Sequence, residues 1–155
     1  MKQSEALEIM LAGASVFLTG APGAGKTYVL NRFVQAKREQ GATVAVTATT
    51  GIAATHVDGQ TIHAWSGIGV ADSLTDSLIK TIRTRRRKQI KSTDVLVIDE
   101  ISMMHAWLFD MVDKVCRIIR KDSRPFGGLQ VVLSGDFFQL PPVGASRRNT
   151  AMTPT

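Results

Sequence analysis

An α/β fold with a doubly wound, mostly parallel sheet in a single domain is predicted by three features of this chain. Four short apolar runs have strand character, the stretches between several of them carry helical periodicity, and a glycine-rich loop joins the first run to the following helix. With 155 residues and 44% hydrophobic content, the chain is long enough for one full core and too short for two ordinary ones.

The elements follow in order. Ser4, with Leu7, Met10 and Leu11 ahead of Gly13, predicts a short helix capped by Ser4 and stopped by the glycine. Residues 15–19, Ser-Val-Phe-Leu-Thr, read as a buried strand, and residues 27–39 as a helix with Val29, Leu30, Phe33 and Val34 on one side. A second strand is expected at residues 43–47 and a third at residues 94–98, where unbroken apolar character suits a strand covered on both faces. Leu108, Met111, Val112, Val115, Ile118 and Ile119 mark an amphipathic helix, and residues 129–134 a fourth strand. Residues 144–155 are polar and without periodicity, and read as a disordered tail or a segment cut from something longer.

Residues 20–27 carry the most specific signal: Gly20, Ala21, Pro22, Gly23, Ala24, Gly25, Lys26 and Thr27 form the pattern G-x-x-x-x-G-K-[ST]. The glycines let backbone N–H groups turn onto a polyphosphate, Lys26 has the reach for the β and γ phosphates, and the Thr27 hydroxyl is a ligand for Mg²⁺. In open parallel sheets ligands bind outside the carboxyl ends of the strands, so residues at those ends belong together. Asp99 and Glu100 follow the third strand; Asp99 is the expected Mg²⁺ holder and Glu100 the group that polarises an attacking water. Beyond the fourth strand, the Gln139 amide can donate to a γ-phosphate and accept from water, although the Gly-Asp and Pro-Pro around it also suit a plain turn.

After the second strand, residues 47–54 supply hydroxyls and a helix start with free N–H groups, an anion site in outline. Residues 61–69 then place His63 and Trp65 in a glycine-containing loop; the indole there either stacks on a base or anchors the loop to the core. His56, His63 and His105 lack metal-ligand spacing, so zinc is not expected. Cys116, the single cysteine, lies beside an apolar stripe and reads as an inert, partly buried thiol. Residues 80–91 hold Lys80, Arg83, Arg85, Arg86, Arg87, Lys88 and Lys91 with no acid among them, against a net charge of +6. Two readings stay open for this run, a solvated helix face or a contact to phosphate backbone. No run is long enough to span a bilayer and the N-terminus has no signal-peptide core, so a cytoplasmic protein is expected, nucleoid-associated if bacterial.

The order of motifs resembles one family. The phosphate loop, T-A-T-T-G-I-A-A, T-I-H-A-W-S-G-I-G, V-L-V-I-D-E-I-S-M and P-F-G-G-L-Q-V-V-L-S-G-D-F-F-Q-L-P-P-V are similar to the N-terminal half of the petite-integration-frequency (Pif) helicases, superfamily 1 motors of 5′→3′ polarity. The likeness runs from about Lys2 to Val143 and includes the stretch between Asp110 and Phe126, with Arg117, Arg120 and Lys121, that serves as the family's signature. It implies a RecA-like ATP-binding domain over residues 1–143, with residues 144–155 a tail or the start of a linker. It implies ATP and Mg²⁺ as cofactors, Gln3 as the adenine-reading residue, and catalytic-site positions at Lys26, Thr27, Asp99, Glu100 and Gln139. Thr49, Thr50, His63 and Trp65 fall in segments that line the single-stranded DNA path of such helicases, and the implied partners are single-stranded or forked DNA. Ala64 stands where the family often has serine or another small residue.

The family continues into a second RecA-like domain that supplies arginines to the γ-phosphate, and the sequence past Val143 no longer matches. The resemblance therefore implies a domain that binds nucleotide but turns it over poorly alone, and a monomer is expected. A non-unwinding, nucleotide-dependent DNA-binding module is the alternative. A small kinase or GTPase is a weaker one, since the guanine-reading Asn-Lys-x-Asp is absent and no segment suggests a substrate lid.

Overall fold

The computed structural model describes residues 2–20 and 25–136. The chain runs α1 (Gln3–Leu11), β1 (Val16–Gly20), α2 (Lys26–Glu39), β2 (Val44–Ala48), α3 (Gly51–His56), β3 (Gln60–Thr61), α4 (Ile62–Ser66), α5 (Asp76–Arg85), α6 (Arg87–Ser92), β4 (Val95–Asp99), α7 (Ala106–Arg120) and β5 (Gln130–Asp136). Short 3₁₀ turns at Ile101–Met103 and Pro125–Gly128 flank α7. The strands form one sheet in the order β1-β5-β4-β2-β3, and all its pairs are parallel.

Strand β4 explains the continuous apolar run of residues 95–98. Val95 and Val97 pack with Met10, Val29, Leu30 and Phe33 from α1 and α2, while Leu96 and Ile98 pack with Trp65, Ile82, Ile90, Leu108 and Val112 on the opposite face. Side chains alternate across a strand, so a strand with helices on both sides must be apolar at every position. The two-faced core is therefore what makes the sheet doubly wound.

Expected and observed elements differ at their edges for identifiable reasons. The four anticipated strands each begin one residue later and end one or two later, because polar residues tie off their starts. Ser15 Oγ accepts from the Val131 N–H at 2.9 Å, and Asp94 Oδ2 accepts from the Thr43 N–H at 2.8 Å. At the other end, ladder pairing carries on into Gly20 opposite Asp136 and Ala48 opposite Asp99. Ser4 does not cap α1: the Ala6 N–H already bonds to Lys2 O at 3.1 Å, which makes Lys2 the cap residue and puts Ser4 inside the helix. Strand β3 and helix α4 lie outside the expected elements, since each is very short, and the basic run, for which a helix face is one of the two readings, is helical in α5 and α6.

The segment around α7 is a structural clasp. Arg120 Nε donates to Gly127 O at 2.8 Å, and its Nη1 lies 2.9–3.1 Å from the carbonyls of Ile90, Lys91 and Thr93, so it closes the C-terminus of α6. Asp113 Oδ1 accepts from Arg117 Nε at 2.9 Å and from the Phe126 N–H at 2.6 Å. Gly127, at φ +63°, has no room for a Cβ, which would lie 2.6 Å from Cys116 O. Cys116 itself is fully buried, and burial pushes its thiol up to about 12, an inert group as expected. Among the described residues no helix is long and apolar enough to cross a membrane.

Candidate nucleotide site and the loops beside it

The candidate side chains gather where β1, β4 and β5 end. Gly25 caps α2 in the left-handed region, at φ +89°, and a Cβ there would collide with Gln3 Nε2. Only glycine serves both demands, and the contact sets the Gln3 amide directly against the phosphate loop. Lys2, Gln3, Phe17, Thr19, Gly25 and Lys26 line a cleft of about 370 Å³. Ala21, Pro22, Gly23 and Ala24 lie outside the described residues, as does Gln139.

Lys26 opens α2, and its ammonium donates to Asp136 Oδ1 at 2.5 Å, with both side chains more than four-fifths buried. Gly20 and Asp136 are ladder partners, so the register of β1 against β5 brings this carboxylate to the head of α2. Asp136 is a candidate site residue that sequence reasoning missed, because beyond the fourth strand it singled out Gln139 alone. The signal was present, since a carboxylate ending a buried strand was the reasoning applied to Asp99.

Asp99 ends β4, and the Ser134 hydroxyl of the neighbouring strand donates to its Oδ1 at 2.6 Å, fixing the carboxylate. Thr27 stands one residue into α2 and is exposed. A strand-end carboxylate and a helix-start hydroxyl are hard oxygen donors that suit Mg²⁺, which keeps waters and phosphate oxygens as its other ligands. Among the described residues there is no group of three or more His, Cys, Asp or Glu able to hold a metal.

Glu100 adopts the left-handed region at φ 59°, strained for a residue with a side chain, and two donors hold its carbonyl there. The Met103 N–H reaches Glu100 O at 2.9 Å, and the Thr49 hydroxyl reaches it at 3.0 Å. Thr49 is 8% exposed, so it links the loop after β2 to the residue after β4 rather than facing solvent. Thr50 is exposed and caps α3, its Oγ1 accepting from the Ala53 N–H at 3.1 Å. His63 is half-buried, and burial lowers its imidazole below the ordinary 6.5, which leaves it neutral at pH 7.

Trp65 corrects one expectation. The indole is 1% exposed and sits in the core with Ile62, Ile68, Ile82 and Ile90, so a base cannot reach either ring face in this arrangement. Its segment is braced from behind: Gln89 Nε2 donates to Trp65 O at 2.7 Å and Arg86 Nε to Ala64 O at 2.8 Å. Both braces come from the basic run, and spacing gave no sign of either.

A parallel sheet, a glycine loop leading into a helix that starts with lysine, and a fixed carboxylate at the end of a buried neighbouring strand define a phosphate-loop domain of the RecA-like class. The chain belongs to the PIF1-like helicase family, the family that the order of motifs implied; the family model matches residues 3–154 and so runs past Val143, where the likeness was expected to stop. It is 50% identical over 147 residues to the ATP-dependent DNA helicase Pif1 of Psychrobacter sp. (strain PRwf-1), covering 94% of this chain and 22% of that protein. Among solved structures, Pif1 helicase from Candida albicans is similar at a TM-score of 0.85 and 40% identity, over 91% of this chain and 33% of that one. Pif1 helicase from Bacteroides in complex with ADP-AlF3 and ssDNA is similar at a TM-score of 0.74 and 29% identity, over 98% and 36%. The chain spans about a fifth of the length of the curated relatives it matches.

Proposed function

We propose that this chain is the nucleotide-binding motor domain of an ATP-dependent 5′→3′ DNA helicase. It holds Mg-ATP at residues 20–27 and single-stranded or forked DNA on the loops after β2 and β3. The observation that carries the reading is the Lys26–Asp136 pair beside the Ser134-held Asp99, at the ends of adjacent parallel strands. Asp136 keeps the Lys26 ammonium extended at the mouth of the loop, and an arriving phosphate takes over that ammonium. Mg²⁺, held by Thr27 and Asp99, would neutralise charge on the β and γ phosphate oxygens. Glu100 orients and polarises the attacking water, Gln3 hydrogen-bonds the adenine, and Gln139 senses the γ-phosphate.

The solved Bacteroides relative, bound to ADP-AlF3 and ssDNA, supports nucleotide and single-stranded DNA as the two ligands. Thr50 and His63 are the proposed DNA contacts, Thr49 acts through the Glu100 carbonyl, and Trp65 supports α4 from the core. Residues 1–143 make up the proposed motor domain. Titration of the chain with a fluorescent ATP analogue and Mg²⁺ tests the nucleotide site. Lys26→Ala should weaken binding at least tenfold, and equal affinity would overturn the assignment. In the full-length gene product, Glu100→Gln should cut turnover by roughly 10²–10⁴ while ATP still binds, the range for loss of a general base.

A further inference from the structure

The basic run of residues 80–91 is unused by the nucleotide site, and the structure separates its members by role. Arg86 turns inward to Ala64 O and braces α4, while Lys80, Arg83, Arg85, Arg87, Lys88 and Lys91 remain exposed. These six cations equal the whole formal excess of +6. Among the described residues none of the six forms a salt bridge. Cations near a helix C-terminus ordinarily complement its carbonyl end, but Arg120 already bonds the carbonyls of Ile90, Lys91 and Thr93. Capping therefore does not account for them.

Four of the six share one surface. Arg83, Arg87, Lys88 and Lys91, with Thr84 and Ser92, line an open, shallow hollow of about 530 Å³. Helix α6 ends at Ser92, just before the central strand β4 begins at Val95, which puts this end of the row at the amino-terminal ends of the strands, opposite Asp99 and Glu100. Five residues of parallel strand separate the two ends by about 16 Å.

We propose that this hollow is a second DNA-binding surface, one that takes the phosphate backbone of duplex DNA without reading sequence and independently of nucleotide. Charge complementarity and lining composition select the occupant. Along α5 and α6, which break at Arg86, the row from Arg83 to Lys91 runs roughly 12 Å at helical rise. Over that length a duplex presents about seven phosphates and a single strand about half as many. Single-strand sites pair a basic groove with aromatic stacking platforms, and no aromatic residue lines this one. Surfaces that bind membranes add apolar residues that enter the interface, and none of those is present either.

The test compares two variants of equal charge change. One carries Arg83→Gln, Arg87→Gln, Lys88→Gln and Lys91→Gln; the control carries Arg32→Gln, Lys37→Gln, Lys114→Gln and Lys121→Gln. Far-UV circular dichroism and thermal melts establish that both fold. Fluorescence anisotropy then measures affinity for a 20-base-pair duplex, a 20-nucleotide oligo-dT and anionic vesicles between 50 and 200 mM salt. The hollow variant should lose at least tenfold in duplex affinity, and its plot of log affinity against log salt should flatten by about 3–4, close to 0.9 per lost phosphate contact. The control should stay within about threefold of the parent chain. The hollow variant should keep the parent's affinity for the fluorescent ATP analogue, which separates a failure here from a failure of the nucleotide reading. Unchanged duplex binding in the hollow variant, equal losses in both variants, equal losses on duplex and oligo-dT, or a loss confined to vesicles would each overturn the proposal.

Discussion

Trp65→Ala separates a core role from a DNA-stacking role more sharply than any other substitution in this chain. The indole is 1% exposed and sits among Ile62, Ile68, Ile82 and Ile90, between its own helix α4 and helices α5 and α6. Burying a tryptophan takes roughly 150–250 Å² out of water, worth about 4–6 kcal/mol at 25 cal/mol per Å² as an upper figure. Measured tryptophan and phenylalanine truncations in cores cost about 3–5 kcal/mol once partial collapse is included. About 4 kcal/mol is a large part of the roughly 5–15 kcal/mol that holds a domain together, and it shifts the folding equilibrium by nearly three orders of magnitude. For a chain of this size the melting temperature should fall by about 8–16 °C. Urea unfolding followed by far-UV circular dichroism gives the stability change, since the fluorescence of Trp107 would mix with the signal. Oligo-dT affinity is measured at low temperature, where the variant stays folded, and should lie within about threefold of the parent. A variant of parental stability that binds oligo-dT tenfold more weakly would refute the core argument and return the indole to the DNA.

Arg120→Ala should cost about 3 kcal/mol, because it removes charge-assisted bonds to four carbonyls, two of which end α6. Arg120→Lys should recover little of that, since a single ammonium cannot span Gly127 and the α6 end together; urea midpoints of the two variants decide it. Cys116 should resist a thiol reagent in the native chain at pH 8 and react once the chain is unfolded. Its folded pKa is raised from the ordinary 9.0 to about 12, so the stability held by the neutral thiol is complete below pH 9 and is lost as pH rises towards 12. Cys116→Ala should therefore lose less stability than the parent between pH 9 and 11, and parallel losses in denaturant unfolding would contradict the burial argument.

How much was legible depended on whether the signal was local. Glycine spacing announced the phosphate loop because each residue of the motif acts through its own backbone or side chain on the same ligand. The apolar run of residues 95–98 announced a strand covered on both faces, since alternation on one strand carries that information. Asp136 was illegible as a partner of Lys26 because the pairing spans 110 residues and depends on the register of β1 against β5. Strand β3 escaped notice because two polar residues, Gln60 and Thr61, join the sheet only through the pairing that β2 offers them. Trp65 beside His63 gave the same local pattern for a stacking platform and for a core anchor, and burial against α5 and α6 decided between them.

By itself, the sequence determined that this chain carries a phosphate loop ahead of a helix, an acid pair behind a buried strand, and a motif order belonging to one helicase family. Those properties are written in short windows, where spacing and side-chain chemistry suffice. Tertiary structure decided which carboxylate meets Lys26, which hydroxyl fixes Asp99, that Thr49 bonds to the Glu100 carbonyl, and that Trp65 lies inside. It also set four cations of the basic run around one hollow that reaches the amino-terminal end of β4, opposite Asp99 and Glu100. The physical reason is common to all of these: strand order and register bring together residues far apart in the chain, and burial then selects among roles that a local pattern leaves equal.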